Sequence, residues 1–422
     1  MLSSSLQDTV ETQKREMHAR LAERYIERDL GTPIRDDELI KVIIGPRRCG
    51  KSFLAMHLLG QRGSRGYVNF DDERLADVAN YDHLIAAVNA VYDNPRNLLL
   101  DEIQNLPRWE LFVNRLQRQG LRLILTGSNA HLLSSELATH LTGRHLPINL
   151  FPFSFPETLR ADPGPRTGPE MATQFRRYSE AGGYPEPLLR DMNREYYLRT
   201  LWDSVLYKDI VRRRRIRSAA GLDDLAGYLL ANVAREYSLN RLTSVTRCRS
   251  VHTVAKYIGH LEEAFLFFSL PRFSYRVRET AAANRKIYCI DNGFVTARAV
   301  QFSPDTGRLA ENAVAVALHK RALDGACEVY FWKDARQREV DFVVKEGRQV
   351  TQLIQVCWDM TDGDTRQREI RALLQAGDDL SCDRLLVLTA EADSEEEVAW
   401  FGKRGRIRLL PLWRWFNEQG GT

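Results

Sequence analysis

Four short runs with apolar centres stand out early in the chain: "KVIIG", "GYVNF", "NLLLDE" and "RLILTGS". Stretches with helical periodicity separate them. Continuous apolar runs of this length read as strands buried on both faces. Their alternation with helices predicts an α/β fold built on a parallel sheet with helices on either side. Residues 1–40 predict a helical lead-in, periodic in Leu21, Tyr25, Ile26 and Leu30. From about 155 to 220 the pattern is helical, broken by "AGGYPEPLL". Residues 221–295 predict three helices and a hairpin, and 300–422 return to strands: "EVYFWK", "EVDFVVK", "LIQVCW", "RLLVLTA" and "IRLLPL". There is no internal repeat and no low-complexity segment. The expected division is 1–40, 41–160, 161–220, 221–297 and 298–422.

Composition changes this picture little. The chain has 422 residues, 44% hydrophobic and 27% charged, with a net charge of +4. So mild an excess does not argue for a nucleic-acid partner, and any basic surface must be local. The six cysteines form no CxxC and no metal-site spacing. Free thiols in a reducing cytoplasm are the expectation. The polar N-terminus "MLSSSLQDTVETQKREMHAR" carries no secretory signal. No apolar run approaches the roughly 20 residues of a membrane span. A cytoplasmic protein is expected.

Chemistry enters at "IIGPRRCGKS". Gly45, Pro46, Arg47, Arg48, Cys49, Gly50, Lys51 and Ser52 follow an apolar strand and open a helix, the context a phosphate loop requires. Its amides point at phosphates and the helix N-terminus adds positive potential. Lys51 is expected to reach the β- and γ-phosphates of ATP, and Ser52 to ligate Mg2+. "NLLLDEIQ" supplies the partner strand, with Asp101 holding Mg2+ through water and Glu102 polarising the attacking water. A third strand ends in Thr126, Gly127, Ser128 and Asn129. There Ser128, ahead of Thr126, either senses the γ-phosphate or belongs to a simple turn. Arg144 in "LTGRH" is either an arginine finger, from this chain or a neighbouring subunit, or a surface ion-pair residue.

The segments "IIGPRRCGKS", "VNFDDERL", "LLLDEIQ", "LILTGSNAHLLS", "LTGR", "GGYPE" and "YKDIV" occur in this order over nearly the whole chain. Together they resemble the bacterial and archaeal AAA-type P-loop ATPases that carry a C-terminal PD-(D/E)XK nuclease-like domain of unknown function. The resemblance implies an additional-strand ATPase core, a winged helix in a helical middle, and a restriction-endonuclease-like α/β C-terminal domain. Such ATPases are often rings, so a homo-oligomer, including a hexameric one, is an expectation.

The middle of the chain carries a helix-turn-helix pattern. "LNRLTSV" is a short first helix, "RCR" the turn, and "SVHTVAKYIGHLEEAFL" a second helix capped by Ser250. Val251, Val254, Ile258, Leu261 and Phe265 form one apolar stripe, leaving His252, Thr253, Lys256 and His260 on another face. In a helix-turn-helix this second helix enters the major groove. "FFSLPRFSYRVRETAAANRKIYCID" is a candidate β-hairpin wing, with Arg276, Arg278, Arg285 and Lys286 near its tip. The alternative is a winged helix used for protein packing. Contact with DNA would be mainly to phosphates, giving little sequence preference. The run Arg212 to Arg215 with Arg217 is either a second basic contact or a solvated face.

"EVDFVVKEGRQVTQLIQVCWDM" nearly matches the metal site of a nuclease. Such a core shares Mg2+ between carboxylates at two strand ends and keeps a lysine close by. Glu311 and Asp341 fit the resembled pattern. Gln355 stands where a carboxylate is expected, and Cys357 where lysine is expected. Losing one negative charge weakens metal binding. Lys333 and Lys345 lie on neighbouring segments. A degenerate domain that grips DNA without cutting it is the expectation. The whole chain then reads as an ATP-hydrolysing, DNA-interacting motor or clamp. Branched DNA such as a Holliday junction is its suggested substrate, by analogy of fold. An ATP-dependent nuclease and an ATP-switched regulator of a protein partner are the alternatives.

Overall fold

The early apolar runs pair into one sheet because each is too apolar to leave either face to water. In a computed structural model they form β1 (Ile40–Ile44), β2 (Arg65–Asn69), β3 (Asn97–Asp101) and β4 (Arg122–Gly127), and a fifth strand that the apolar pattern did not show, β5 (His145–Asn149), joins them. The structure describes the chain except residues 1, 32–33, 35–36, 77, 79, 129–140, 142, 299–304 and 420–422. The sheet order is β2-β3-β4-β1-β5, and every pairing is parallel. β4 therefore separates β1 from β3, as the additional-strand expectation requires. The C-terminal ends of all three strands meet along one edge.

The helix Leu2–Leu21 packs Met17 into the same core as Ile43, Leu54, Leu59, Tyr67 and Ile124. Its periodicity predicts a helix reaching further, but the helix stops at Leu21. Beyond it Tyr25 stacks on His57, ring centroids 4.0 Å apart. Arg28 is buried and donates to the carbonyls of Cys49 and Phe151. These contacts hold the segment after Leu21 against the sheet edge instead of in a continuing helix.

The chain divides into two compact units, Met1–Pro152 and Phe153–Thr422. The three regions expected as separate domains after residue 160 all lie in the second unit. Its helical part ends in a π-wound turn, Ser204–Arg212, that continues the helix Arg194–Asp203. Then come β6 (Arg235–Tyr237), β7 (Phe267–Pro271) and β8 (Arg285–Cys289), an antiparallel sheet in the order β6-β8-β7. The helices Ala219–Ala231, Leu239–Val245 and Val251–Glu263 accompany it, the last capped by Ser250.

A hairpin over 267–289 is present, yet it is not a bare wing. Its connection contains a short helix, Val277–Ala282, capped at Arg276 and tied by Arg276 to Glu279 at 3.0 Å.

The tail forms β9 (Glu328–Lys333), β10 (Glu339–Glu346), β11 (Gln349–Val356), β12 (Leu385–Thr389), β13 (Ser394–Trp400) and β14 (Lys403–Pro411). They make one mixed sheet, β13-β14-β12-β11-β10-β9, with β12 parallel to both neighbours. β13 is the strand absent from the sequence reading. Three consecutive glutamates hide its period of two, which suits an exposed edge strand. The two sheets of this unit are joined: the Phe273 amide donates to the Phe331 carbonyl at 2.7 Å, beside an Arg272–Phe331 bridge. Among the described residues, no helix is long and apolar enough to cross a membrane.

Candidate functional site

The turn from β1 into the helix Lys51–Gly60 is shaped by what surrounds it. A Cβ on Gly45 would lie 1.8 Å from the Leu150 carbonyl oxygen, so only glycine fits there. Gly50 has φ +99°, a conformation that glycine adopts without strain. Cys49 points inward, and its buried thiol donates to the Leu150 carbonyl at 3.2 Å. Arg47 lies 3.6 Å from Asp71. Arg48 has φ 66° and is exposed. Lys51 is buried, donates to the Pro46 carbonyl at 2.8 Å, and lies 3.9 Å from Glu102 Oε1. Its ammonium is held over the loop and not sent out to solvent. The first amides of the helix have no partner within it, which suits an anion.

Across β4, the end of β3 presents two carboxylates. Asp101 Oδ1 accepts from Ser52 Oγ at 2.9 Å and from the Thr126 hydroxyl, and Oδ2 accepts from Tyr67 at 3.2 Å. Thr126 also accepts from the Glu102 amide at 2.9 Å, so one hydroxyl braces both acids. Glu102 stands in a left-handed conformation, φ 51°. Its Oε2 accepts from Ser128 at 2.9 Å and from the Gln104 amide. Burial raises the Asp101 carboxyl, and the adjacent Glu102 charge adds to this. Burial also works to raise Glu102, but the Lys51 ammonium and the Gln104 and Ser128 hydrogen bonds outweigh it and hold it low.

Residues 45–52, Asp101, Glu102 and Ser128 are thus brought to one place. Arg144 is not. It is exposed and sits where β5 begins, its carbonyl accepting from the Ile40 amide at 3.0 Å. Asn129 and the helix expected before Arg144 lie outside the described residues. Three contributors escaped the sequence reading: Gln104, Tyr67 and Arg28. Gln104 stands inside the quoted "DEIQ", so its spacing from Glu102 was a usable signal. Arg28 had none, because its partners lie 21 and 123 residues away.

In the second unit, His252, Lys256, Arg276, Arg278 and Arg285 are exposed, and Thr253 is half-buried with its hydroxyl 2.9 Å from Ser250. His252 and Lys256 are four apart and share a helix face. Lys286 corrects the expectation of a surface contact. It is 2% exposed, because side chains alternate along β8 and its neighbour Arg285 takes the outward position. Its ammonium lies 2.9 Å from Glu311 Oε1, 3.0 Å from Asp341 Oδ1 and 2.7 Å from Glu339 Oε1. Tyr288 donates to the same Glu311 oxygen at 2.7 Å.

Gln355 and Cys357 do not complete this cluster. The Gln355 oxygen accepts from the Asp341 amide at 3.2 Å, and its nitrogen donates to Glu369 at 2.6 Å. The Cys357 thiol donates to the Asp359 carbonyl at 3.2 Å. Burial, then the Asp341 charge, pushes Glu311 up to about 7. Burial opposes the Lys286 charge, but the surrounding carboxylates outweigh it and keep the lysine protonated.

The parallel sheet and the loop-and-carboxylate site define a P-loop ATPase of AAA type. An AAA domain family matches residues 37–159. Two domains of unknown function, DUF8612 and DUF4143, match residues 172–305 and 306–412. The chain belongs to the same family as the uncharacterized protein MJ1544 of Methanocaldococcus jannaschii, 30% identical over 89% of this chain and 88% of the relative. An uncharacterized protein of Haemophilus influenzae is 29% identical over 78% of this chain and 84% of its own length.

Proposed function

We propose that this protein hydrolyses ATP at the junction of β1, β3 and β4, and uses the cycle to act on DNA held by the second unit. The observation that carries the ATPase reading is the pairing of Ser52 with Asp101 and of Lys51 with Glu102 across β4. Ser52 Oγ and Asp101 Oδ1 are hard oxygen donors 2.9 Å apart, a set that fits Mg2+. When bound, Mg2+ would neutralise phosphate charge. Lys51 contributes a second positive charge, and the loop amides orient the phosphates. Glu102 takes the water's proton. Its Oε2 is bound by Ser128 and Gln104, so Oε1 is the oxygen left for water. Ser128 positions that carboxylate. Arg144 is assigned to a neighbouring copy's site in a homo-oligomer.

The DNA reading rests on the exposed face of His252 and Lys256 with Arg276, Arg278 and Arg285 from the adjoining hairpin. We assign the six-stranded sheet to a nuclease-like domain that does not cut. Steady-state ATP hydrolysis with single-stranded, duplex and four-way-junction DNA tests the whole reading. Stimulation by one form, without strand scission on a denaturing gel, is the expected result.

A combined Lys256→Ala, Arg278→Ala, Arg285→Ala variant should lose that stimulation. Its plot of log affinity for duplex against log salt should be shallower by about 2–3, at roughly 0.9 per lost phosphate contact. Exposed Tyr275 (66%) and Val277 (82%) beside these arginines favour a second reading, a protein partner. Unchanged turnover with every DNA form would select it.

A further inference from the structure

We propose that the ammonium of Lys286 is the resident cation of the Glu311, Glu339 and Asp341 cluster, standing where a nuclease-like domain would hold a divalent ion. A lysine ammonium has three N–H donors and no acceptor. Here three carboxylate oxygens, one from each acid, lie within 2.7 to 3.0 Å of it. Every donor has a charged partner.

Two of the three oxygens that remain are also taken, those of Asp341 and Glu339. Asp341 Oδ2 accepts from the Val356 amide at 3.0 Å. Glu339 Oε2 faces Lys333 at 3.4 Å. Both ends of the Gln355 amide are used within the fold. A divalent ion needs six or more oxygens and some water. Among the described residues, no group of three His, Cys, Asp or Glu side chains is arranged to hold one.

The lysine is not free to leave. β8 is the central strand of its sheet, with Lys286 opposite Glu236 on one side and Leu270 on the other. Its backbone is bound on both edges, and its stem is buried. Three segments meet at the one charge: β8, the helix Thr306–Leu323 carrying Glu311, and β10 carrying Glu339 and Asp341. A buried charge is tolerated when it is fully paired, and removing one partner leaves the others uncompensated. Without Lys286, three acids would converge on a vacant point, and a divalent cation is what such a point attracts.

The test is Mn2+ binding to the full chain, followed by electron paramagnetic resonance without nucleotide or DNA. Its outcome is therefore independent of the ATPase and DNA readings. Wild type should show no Mn2+ site that disappears in Asp341→Asn. Lys286→Met should gain one site, at least tenfold tighter than any in wild type, and lose it when combined with Asp341→Asn. The wild-type comparison holds even if Lys286→Met fails to fold. A wild-type site sensitive to Asp341→Asn would overturn the proposal and make Lys286 the companion of a bound metal. A folded Lys286→Met chain with no added Mn2+ site would also overturn it.

Discussion

Glu102→Gln should lower ATP turnover by on the order of 10²–10⁴-fold while nucleotide binding persists. The substitution keeps shape and removes the proton acceptor. Lys51, Ser52 and Asp101 are untouched, and they make the contacts expected to hold the phosphates and Mg2+. The left-handed backbone at Glu102 is set by Thr126 bonding to its amide and not by its side chain, so the strand end should keep its form. The glutamine can still accept from Ser128. Single-turnover hydrolysis and equilibrium binding of a labelled nucleotide separate the two effects. A turnover within about threefold of wild type would remove Glu102 from the role of base, since general-base catalysis is worth far more.

Gly45→Ala should be the most damaging single methyl group in the nucleotide-binding unit. The added carbon would sit 1.8 Å from the Leu150 carbonyl oxygen, which is backbone and cannot swing aside. The Leu150 amide donates to Ile44 at 2.8 Å, so moving it away breaks the end of the β1–β5 ladder. Overpacking of this kind costs about 3 kcal/mol or more. For a unit of this size that is a fall of about 6–12 °C in melting temperature. Gly50→Ala is a control with a different cause. Its nearest neighbour would be an Arg28 nitrogen at 3.4 Å, so space is available and only the φ of +99° is strained. The cost there should be about 1–2 kcal/mol. Calorimetry on both variants decides: similar losses would mean that crowding at Leu150 is relieved by a small shift.

The nucleotide site was legible because its parts are contiguous in sequence or fall at the ends of strands with apolar centres. Strand-end logic was enough to bring Ser128 toward Glu102. It did not weigh Gln104, which reaches the same oxygen by turning back two residues. Lys286 shows where such reading stops. In "RKIYCID" it is one of two adjacent cations, and local pattern gives no reason to treat it differently from Arg285. Its acidic partners Glu311 and Asp341 lie 25 and 55 residues further along the chain. The hairpin was visible, but the helix within it was not, because "VRETAA" is too short for periodicity to show. β13 was hidden by charge, since only Val398 and Trp400 of its four inward positions are apolar and Glu396 interrupts the pattern.

The place of Arg144 has a consequence for how activity should scale. β1 lies between the Arg144 end of the sheet and the phosphate loop. Its five residues span about 16 Å, more than an arginine side chain covers. An Arg144 that serves catalysis therefore serves it on another molecule. Specific activity should then rise with protein concentration. Two silent variants, Glu102→Gln and Arg144→Ala, should regain turnover when mixed, because some interfaces would pair an intact glutamate with an intact arginine. If the mixture stays as inactive as its parts, Arg144 is a surface residue and each chain works alone.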